Sequence, residues 1–291
     1  MTFRTLDYLT SPELAQLYWP GVLTGILIAA MCAGLSVLVV LKRMAFIGQG
    51  VSHAAFGGVG LAAVAGLLGS VTMAASVGQF LFVLTACLAA ALLMAWISRR
   101  GDTESDTAIG IVLVGAMAAG AVLLRLSPDP VQWESFLFGD MLAVGWNDFI
   151  LGAVVTVVVF GLLWWFRRPL MFWAFDEAAA TAWGVKSGAM HFLLMLILAL
   201  VTVTAMKLAG VVLATAMLVL PGAAALKVAR SWGGAISIAT IVALGGVVLG
   251  VVLSFEADWP PGPSIVLVLT AAFALAAIAR RAGLARRPAR Q

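Results

Sequence analysis

The sequence predicts an all-α protein that crosses a lipid bilayer about nine times. Of its 291 residues, 63% are hydrophobic and only 10% are charged, whereas a soluble domain typically carries about 25% charged residues. The apolar residues also form long uncharged runs, such as residues 14–41 and 44–98. So few polar side chains cannot cover a globule in water, and we therefore expect lipid to be the solvent for most of the surface.

The uncharged runs divide at charged or polar, glycine-containing breaks into segments of about 20 residues, the length that one crossing needs. We place the spans at about 19–41, 51–69, 79–98, 107–126, 147–166, 190–206, 208–226, 232–254 and 263–279. An arrangement with eight spans, in which one segment is merged or lost, is the alternative. The predicted organisation is an N-terminal outer segment at 1–18, a single transmembrane domain at 19–279 and a basic tail at 280–291.

The basic residues predict the orientation of these spans, because each cluster follows an odd-numbered span. The clusters are Lys42 and Arg43; Arg99 and Arg100; Arg167 and Arg168 with Lys186; Lys227 and Arg230; and Arg280 through Arg290. Cytoplasmic loops of membrane proteins carry an excess of Lys and Arg, so all five clusters are expected in the cytoplasm. The net charge of +4 then belongs to loops, and no nucleic-acid partner is expected.

One outer segment does not have the composition of a simple loop. Residues Phe136 to Val144, which include Asp140, are mostly apolar but far too few to cross a bilayer. A re-entrant or interfacial segment is therefore predicted on the outer side.

On the cytoplasmic side, residues 176–184 predict a short helix. Asp176 is a typical N-cap residue, Glu177 suits the first turn, Ala180 lies in an alanine-rich body, and Gly184 suits the position after the C-cap. The predicted helix lies between basic residues on both sides. A simple turn at the membrane interface is the alternative to a helix here.

The spans contain almost no titratable residues, and this absence narrows the possible functions. Apart from charges at the span ends, only His53 and His191 can titrate there. Carriers coupled to protons or sodium usually hold intramembrane carboxylates, and no Gly-Lys-Ser/Thr loop for ATP phosphates occurs. We therefore expect the chain itself not to be an enzyme and to draw its energy from another protein.

His53 and Gln49 form the candidate ion site. They are four residues apart in G-Q-G-V-S-H-A (48–54), so a helix places both side chains on one face. An imidazole nitrogen and an amide oxygen are both possible ligands of a transition-metal dication. A histidine that is merely hydrogen-bonded within the helix bundle is the alternative that these residues leave open.

Six segments, in their order and spacing, resemble the permeases of ATP-binding-cassette importers for manganese, zinc and iron. They are V-L-K-R-M-A-F-I-G-Q-G-V-S-H-A (40–54), S-D-T-A-I-G-I-V (105–112), F-L-F-G-D-M-L-A-V (136–144), F-D-E-A-A-A-T-A-W-G-V (175–185), G-V-V-L-A-T-A-M-L-V-L-P-G-A-A-A (210–225) and D-W-P-P-G-P-S-I-V-L-V-L (258–269). The resemblance extends from about Pro20 to Ala279, nearly the whole chain.

This resemblance implies a bacterial inner-membrane protein in which two copies of the chain surround a central ion path. It implies cytoplasmic ATP-binding subunits that dock on the helix at 176–184, and an external metal-binding protein on the other side. The divalent metal is then the transported substrate, with no permanently bound cofactor. The first alternative function is that of a stand-alone metal channel or a secondary carrier. A second alternative is that of an intramembrane enzyme.

Two positions depart from the pattern of the family. Many members have an acid four residues before the histidine, whereas this chain has Gln49. Losing that carboxylate is expected to weaken ion binding in the pore, which is tolerable because a conducted ion must also leave. Asp140 adds an outer carboxylate where the family often has an amide.

Overall fold

The computed structural model describes Thr5 and residues 11–66, 73–99, 105–126 and 144–283. Every element with described bounds is an α-helix, as the composition predicts. The helices are α1 (Pro12–Leu41), α2 (Ala45–Val64), α3 (Met73–Arg99), α4 (Ser105–Leu126), α5 (Trp146–Trp165), α6 (Arg167–Phe175), α7 (Glu177–Ala182), α8 (Ser187–Val228), α9 (Trp232–Ala257) and α10 (Pro261–Arg281). The predicted outer segment with Asp140, apart from Val144, and tail residues 284–291 lie outside the described residues.

Eight stretches of the described residues are long and apolar enough to cross a membrane. They are Leu14–Leu41, Val77–Ile97, Thr107–Leu126, Trp146–Trp165, Ser187–Met206, Ala209–Val228, Trp232–Ala257 and Pro261–Arg281. They correspond to eight of the nine predicted spans. The remaining span, predicted at 51–69, corresponds to α2, whose 20 residues reach about 30 Å. Length alone would let α2 cross, but Gln49, Ser52 and His53 lower its hydropathy.

The long helix α8 contains a break that separates two predicted spans. Its 42 residues are interrupted at Gly210, where the backbone has φ 83° and ψ 163°. Glycine adopts such a positive φ without the steric cost that a Cβ would bring. The apolar parts on either side are Ser187–Met206 and Ala209–Val228. The prediction of two spans is thus confirmed, but the backbone departs from helix at Gly210 and not at Lys207.

Helix α1 begins at Pro12, well before residue 19, where we expected the first span to start. Ser11 occupies the N-cap position with an extended backbone, and Pro12 follows at the start of the helix. Proline is favoured there because its missing N–H would have no intrahelical partner and its φ already suits a helix. The helix therefore extends beyond the uncharged run that defined the predicted span.

One compact unit comprises Met1–Arg43, Glu134–Thr156 and Ala205–Gln291. Within it α9 packs against both α1 and α10. A Cβ added at Gly250 would lie 2.5 Å from the Cα of Ile265. The backbones of α9 and α10 are therefore in direct contact at this point. Close approach through small residues is the usual way in which helices associate in lipid. Glu256, near the end of α9, accepts hydrogen bonds from the backbone N and the hydroxyl of Thr5 at 3.0 and 2.8 Å.

The second compact unit comprises Met44–Trp133 and Val157–Thr204. Helix α2 packs against α3 and α4 within it. A Cβ added at Gly58 would lie 2.9 Å from the Cα of Val83, and one added at Gly60 would lie 2.9 Å from the carbonyl oxygen of Gly120. Contacts this close fix the rotation of α2 about its own axis. The face on which Gln49 and His53 lie is therefore determined by glycines on other faces.

Candidate functional site

Gln49 and His53 lie on the only side of α2 that the described chain leaves largely uncovered. Gln49 is exposed and His53 is half-buried, and Phe46, Leu61 and Val64 on the same side are 60, 47 and 53% exposed. The neighbouring residues Val51, Ser52, Ala54 and Ala55 are each at most 2% exposed. The spacing of four therefore brings the two side chains onto one stripe, as the sequence predicts.

One imidazole nitrogen of His53 makes no hydrogen bond to any described residue. Nδ1 is buried and has no hydrogen-bond partner within the described residues. By comparison, the hydroxyl of the adjacent Ser52 donates to the carbonyl of Gly48 at 2.8 Å. A buried polar atom without a partner is costly, and native structures usually pair such atoms. Within the described residues His53 therefore lacks the hydrogen bond at Nδ1 that a purely structural histidine would be expected to make, and its role as an ion ligand stays a prediction.

The described residues of one chain do not form a complete metal site. No group of three or more His, Cys, Asp or Glu side chains that could hold a metal ion occurs in the described part of the chain. Cys32 and Cys87 are both free and buried. One imidazole and one amide are too few for the coordination that transition-metal sites require. A metal ion held there would need ligands in addition to these two side chains.

The predicted cytoplasmic helix is present as α7, and its own residues close both ends. The carboxylate of Asp176 accepts a hydrogen bond from the backbone N of Ala179 at 2.8 Å. At the other end Gly184 has φ +88°, its N–H donates to Thr181, and the N–H of Val185 donates to Ala180 at 2.9 Å. These bonds form a Schellman motif, which satisfies the last carbonyls of a helix. The expected N-cap and the expected glycine are both confirmed.

A chain of hydrogen bonds joins α7 to the helices on either side of it. The hydroxyl of Ser187, at the start of α8, donates to the carboxylate of Glu177. The indole N–H of Trp173 in α6 donates to Ser187 at 2.9 Å, and the Trp173 ring meets the ring of His191 edge-on. Trp173 is 2% exposed. Sequence reasoning missed Trp173 and Ser187, because their partners become neighbours only once three short elements have folded together.

Two aromatic residues that flank α7 are exposed, and neither was predicted from the sequence as a contact residue. Trp183, directly after the helix, is 83% exposed, and Phe175, directly before its N-cap, is 60% exposed. Ala180, which we had grouped with the docking residues, is completely buried. Ala180 therefore supports the helix from beneath and cannot touch a partner. A tryptophan in a segment predicted to be cytoplasmic was the signal in the sequence that could have indicated an exposed contact.

Two relatives show strong similarity over nearly the full chain. The zinc uptake system membrane protein ZnuB of Haemophilus influenzae is 28% identical over 91% of this chain and 98% of its own length. The manganese transport system membrane protein MntC of Halalkalibacterium halodurans is 32% identical over 95% of this chain and 90% of its own length. Both are membrane proteins of metal transport systems by name.

Structural comparison gives the same relationship. A chain in the structure of PsaBC from Streptococcus pneumoniae in complex with Fab superimposes with a TM-score of 0.83 at 28% sequence identity, covering 99% of this chain and 100% of that chain. The family model for the ABC 3 transport family matches residues 15–280. With its apolar helices, this multi-pass membrane protein therefore belongs to the ABC 3 transport family, whose members are permease subunits of transporters and not enzymes.

Proposed function

We propose that this chain is the membrane-spanning permease of an ATP-driven importer that moves divalent transition-metal ions, namely zinc, manganese or iron, into the cytoplasm. The observation that carries the proposal is the uncovered stripe of α2, where His53 lies one turn from Gln49 and its buried Nδ1 has no hydrogen-bond partner among the described residues. The names of the relatives, which include zinc uptake and manganese transport, support the substrate class.

The ion path requires a second copy of the chain. The exposed amide of Gln49 would be costly against hydrocarbon, so this stripe should face protein or a water-filled path. A two-fold axis along the stripe would bring two imidazoles and two amides together. The resulting site carries no formal charge and would hold a dication loosely, which suits a pathway from which the ion must leave. Capture then belongs to an external metal-binding protein.

The energy enters at α7 from separate cytoplasmic ATP-binding subunits. Exposed aromatic residues on a rigid support are the usual anchors of protein interfaces, and Trp183 and Phe175 provide them here. The bonds through Glu177, Ser187 and Trp173 connect this surface to the start of the membrane-spanning part of α8. A movement imposed on α7 would therefore reach a membrane span directly. The inner membrane of a bacterial cell is the compartment that this arrangement fits.

The decisive experiment is to reconstitute the chain with its ATP-binding subunits and external binding protein in vesicles. We expect uptake of zinc, manganese or ferrous iron that requires ATP, together with ATPase activity that rises when the correct metal and binding protein are present. Uptake by the chain alone, without ATP or partner subunits, would establish the channel or secondary carrier instead. ATPase activity indifferent to all three metals would refute the proposed substrate class.

Trp183→Ala should separate the ATP-binding subunits from the permease. Loss of an exposed aromatic anchor at an interface typically costs about 2 kcal/mol or more, which corresponds to about 30-fold weaker binding. We therefore expect a roughly 30-fold higher dissociation constant for the ATP-binding subunit, measured on immobilised permease, and a matching loss of metal-stimulated ATPase activity.

Trp259→Ala is the matched control for this prediction. Trp259 is 50% exposed, lies after α9 on the predicted outer side, and its hydrogen bond from Ser254 uses only its backbone oxygen. The control should bind the ATP-binding subunit as the natural protein does. Equal dissociation constants for both variants and the natural protein would remove α7 from the docking surface.

A further inference from the structure

An open groove of about 600 Å³ lies where α5 meets α6, and we call it the α5–α6 groove. Its lining residues are Gly161, Trp164, Trp165, Arg167 and Arg168. The two indole rings are 54 and 84% exposed, and both arginines are exposed. The groove begins where the span Trp146–Trp165 ends. It therefore lies at the depth of the lipid headgroups, on the side that the basic clusters assign to the cytoplasm.

No acidic side chain among the described residues neutralises the charges of this groove. No ion pair between Arg167 or Arg168 and an acidic side chain is found among the residues that the structure describes. The guanidinium of Arg167 is instead held over the ring of Trp164, 4.8 Å from its centroid. That contact orients the guanidinium but leaves its N–H donors available for an oxyanion.

Arg167 and Arg168 belong to a helix whose opposite side is packed against the protein. They begin α6, and this helix buries Leu170 and Trp173, which are 1 and 2% exposed. Trp173 is further fixed by its hydrogen bond to Ser187. The backbone positions of the two arginines are therefore set by a packed helix and not by a loose loop, which reduces the entropy lost when an anion binds.

The groove continues into an apolar surface along α5. Val157 and Val158, one turn before Gly161, are 72 and 47% exposed, and a Cβ added at Gly161 would meet no atom within 4 Å. An acyl chain can lie against the valines and over the glycine, with its headgroup at the arginines. An acidic segment of a soluble protein would match the arginines but not this apolar extension on a membrane span.

We propose that the α5–α6 groove binds the phosphate headgroup of an anionic phospholipid, with an acyl chain along Val157 and Val158. The guanidinium groups of Arg167 and Arg168 donate hydrogen bonds to the phosphate oxygens. The amphipathic indoles of Trp164 and Trp165 flank the headgroup at the membrane interface.

The test measures binding of dioctanoyl phosphatidylglycerol to the purified full chain in detergent, by native mass spectrometry. Arg167→Gln combined with Arg168→Gln should weaken binding about tenfold or more, since each basic residue near an anionic lipid contributes substantially. Arg280→Gln combined with Arg281→Gln removes the same charge at the end of α10 and should change binding little. Equal losses in the two double variants would reduce the effect to general charge and overturn the site.

A second pair of variants tests the groove without changing charge. Gly161→Phe fills the groove from a position where a side chain meets no neighbour, and it should also weaken lipid binding about tenfold, in line with the loss of apolar contact. Gly115→Phe in α4, another position with nothing within 4 Å of an added Cβ, is the control and should bind normally. Unchanged binding in Gly161→Phe would contradict the proposal.

The occupant is identified in native membranes by photo-crosslinking through Trp165→p-benzoylphenylalanine. We expect phospholipid adducts by mass spectrometry, enriched in anionic species. Adducts to a polypeptide would make the groove a protein interface and overturn the lipid assignment. Inorganic phosphate should not displace the lipid at equal concentration, because it lacks the acyl chain; equal affinity would define a soluble-anion site instead.

Discussion

His53→Ala is expected to reduce ATP-dependent metal uptake at least about tenfold, because loss of even an indirect contact to a metal ligand typically costs 10- to 100-fold. The variant should insert and fold as the natural chain does. Removing one intramembrane hydrogen bond costs well under about 2 kcal/mol, and Nδ1 of His53 has no such bond to lose within the described residues. Uptake is measured in vesicles with a radioactive or fluorescent metal readout, normalised to the amount of assembled complex.

Ser52→Ala is the matched control for His53. It removes a polar group from the adjacent residue, whose hydroxyl donates to the Gly48 carbonyl on the covered side of α2. This variant should retain uptake close to the natural rate. Natural uptake in His53→Ala would exclude the histidine as a ligand and leave it a packing role.

Gln49→Asp introduces the acid that many permeases of the family described in the sequence analysis have at this position. A carboxylate one turn from His53 adds negative charge to an otherwise neutral site, so metal binding should tighten. We expect the metal concentration at half-maximal uptake to fall. An unchanged value would place Gln49 outside the ion path.

Gly222→Ala is expected to prevent normal folding or to lower stability by about 1–3 kcal/mol, the usual cost of overpacking. A Cβ at Gly222 would lie 2.3 Å from the carbonyl oxygen of Ser36 and 2.7 Å from the backbone N of Val37. The obstacle is backbone of α1, which cannot move aside as a side chain can. Thermal unfolding in detergent and the yield of membrane-inserted protein measure the effect.

Gly245→Ala in α9 provides the comparison. A Cβ there would meet nothing within 4 Å, and alanine is favoured over glycine in a helix interior by up to about 1 kcal/mol. This control should be as stable as the natural protein or slightly more stable. Equal stability of the two variants would show that α1 and α8 do not approach as closely as described.

Local rules of the sequence predicted the features that depend on neighbouring residues. The N-cap at Asp176 and the glycine at Gly184 follow from hydrogen bonds that a helix end must make within a few residues. The shared face of Gln49 and His53 follows from helical geometry alone. These parts of the candidate site required no knowledge of the rest of the chain.

Features that depend on distant contacts could not be predicted in the same way. Ala180 is buried and Trp183 exposed because α7 lies on its neighbours with one particular side, which its six residues do not encode. We predicted the break between the two spans of α8 at Lys207, because a charged residue is unfavourable within a span. The backbone instead departs from helix at Gly210, because glycine adopts a positive φ without steric cost. We predicted nine spans, whereas eight described helical stretches are apolar enough to cross a membrane. The difference is α2, which is long enough to cross but contains the polar residues Gln49, Ser52 and His53, which lower its hydropathy.

The caps of α7 have a mechanical consequence. A six-residue helix is far below the length at which a helix persists alone in water, yet the carboxylate of Asp176 and the Gly184 turn keep this one closed at both ends. It is ordered before any partner arrives, so association loses little conformational entropy. If ATP-binding subunits push on α7 as proposed, the capped segment would move as one piece instead of unwinding, and the hydrogen bond between Glu177 and Ser187 would carry that movement to α8.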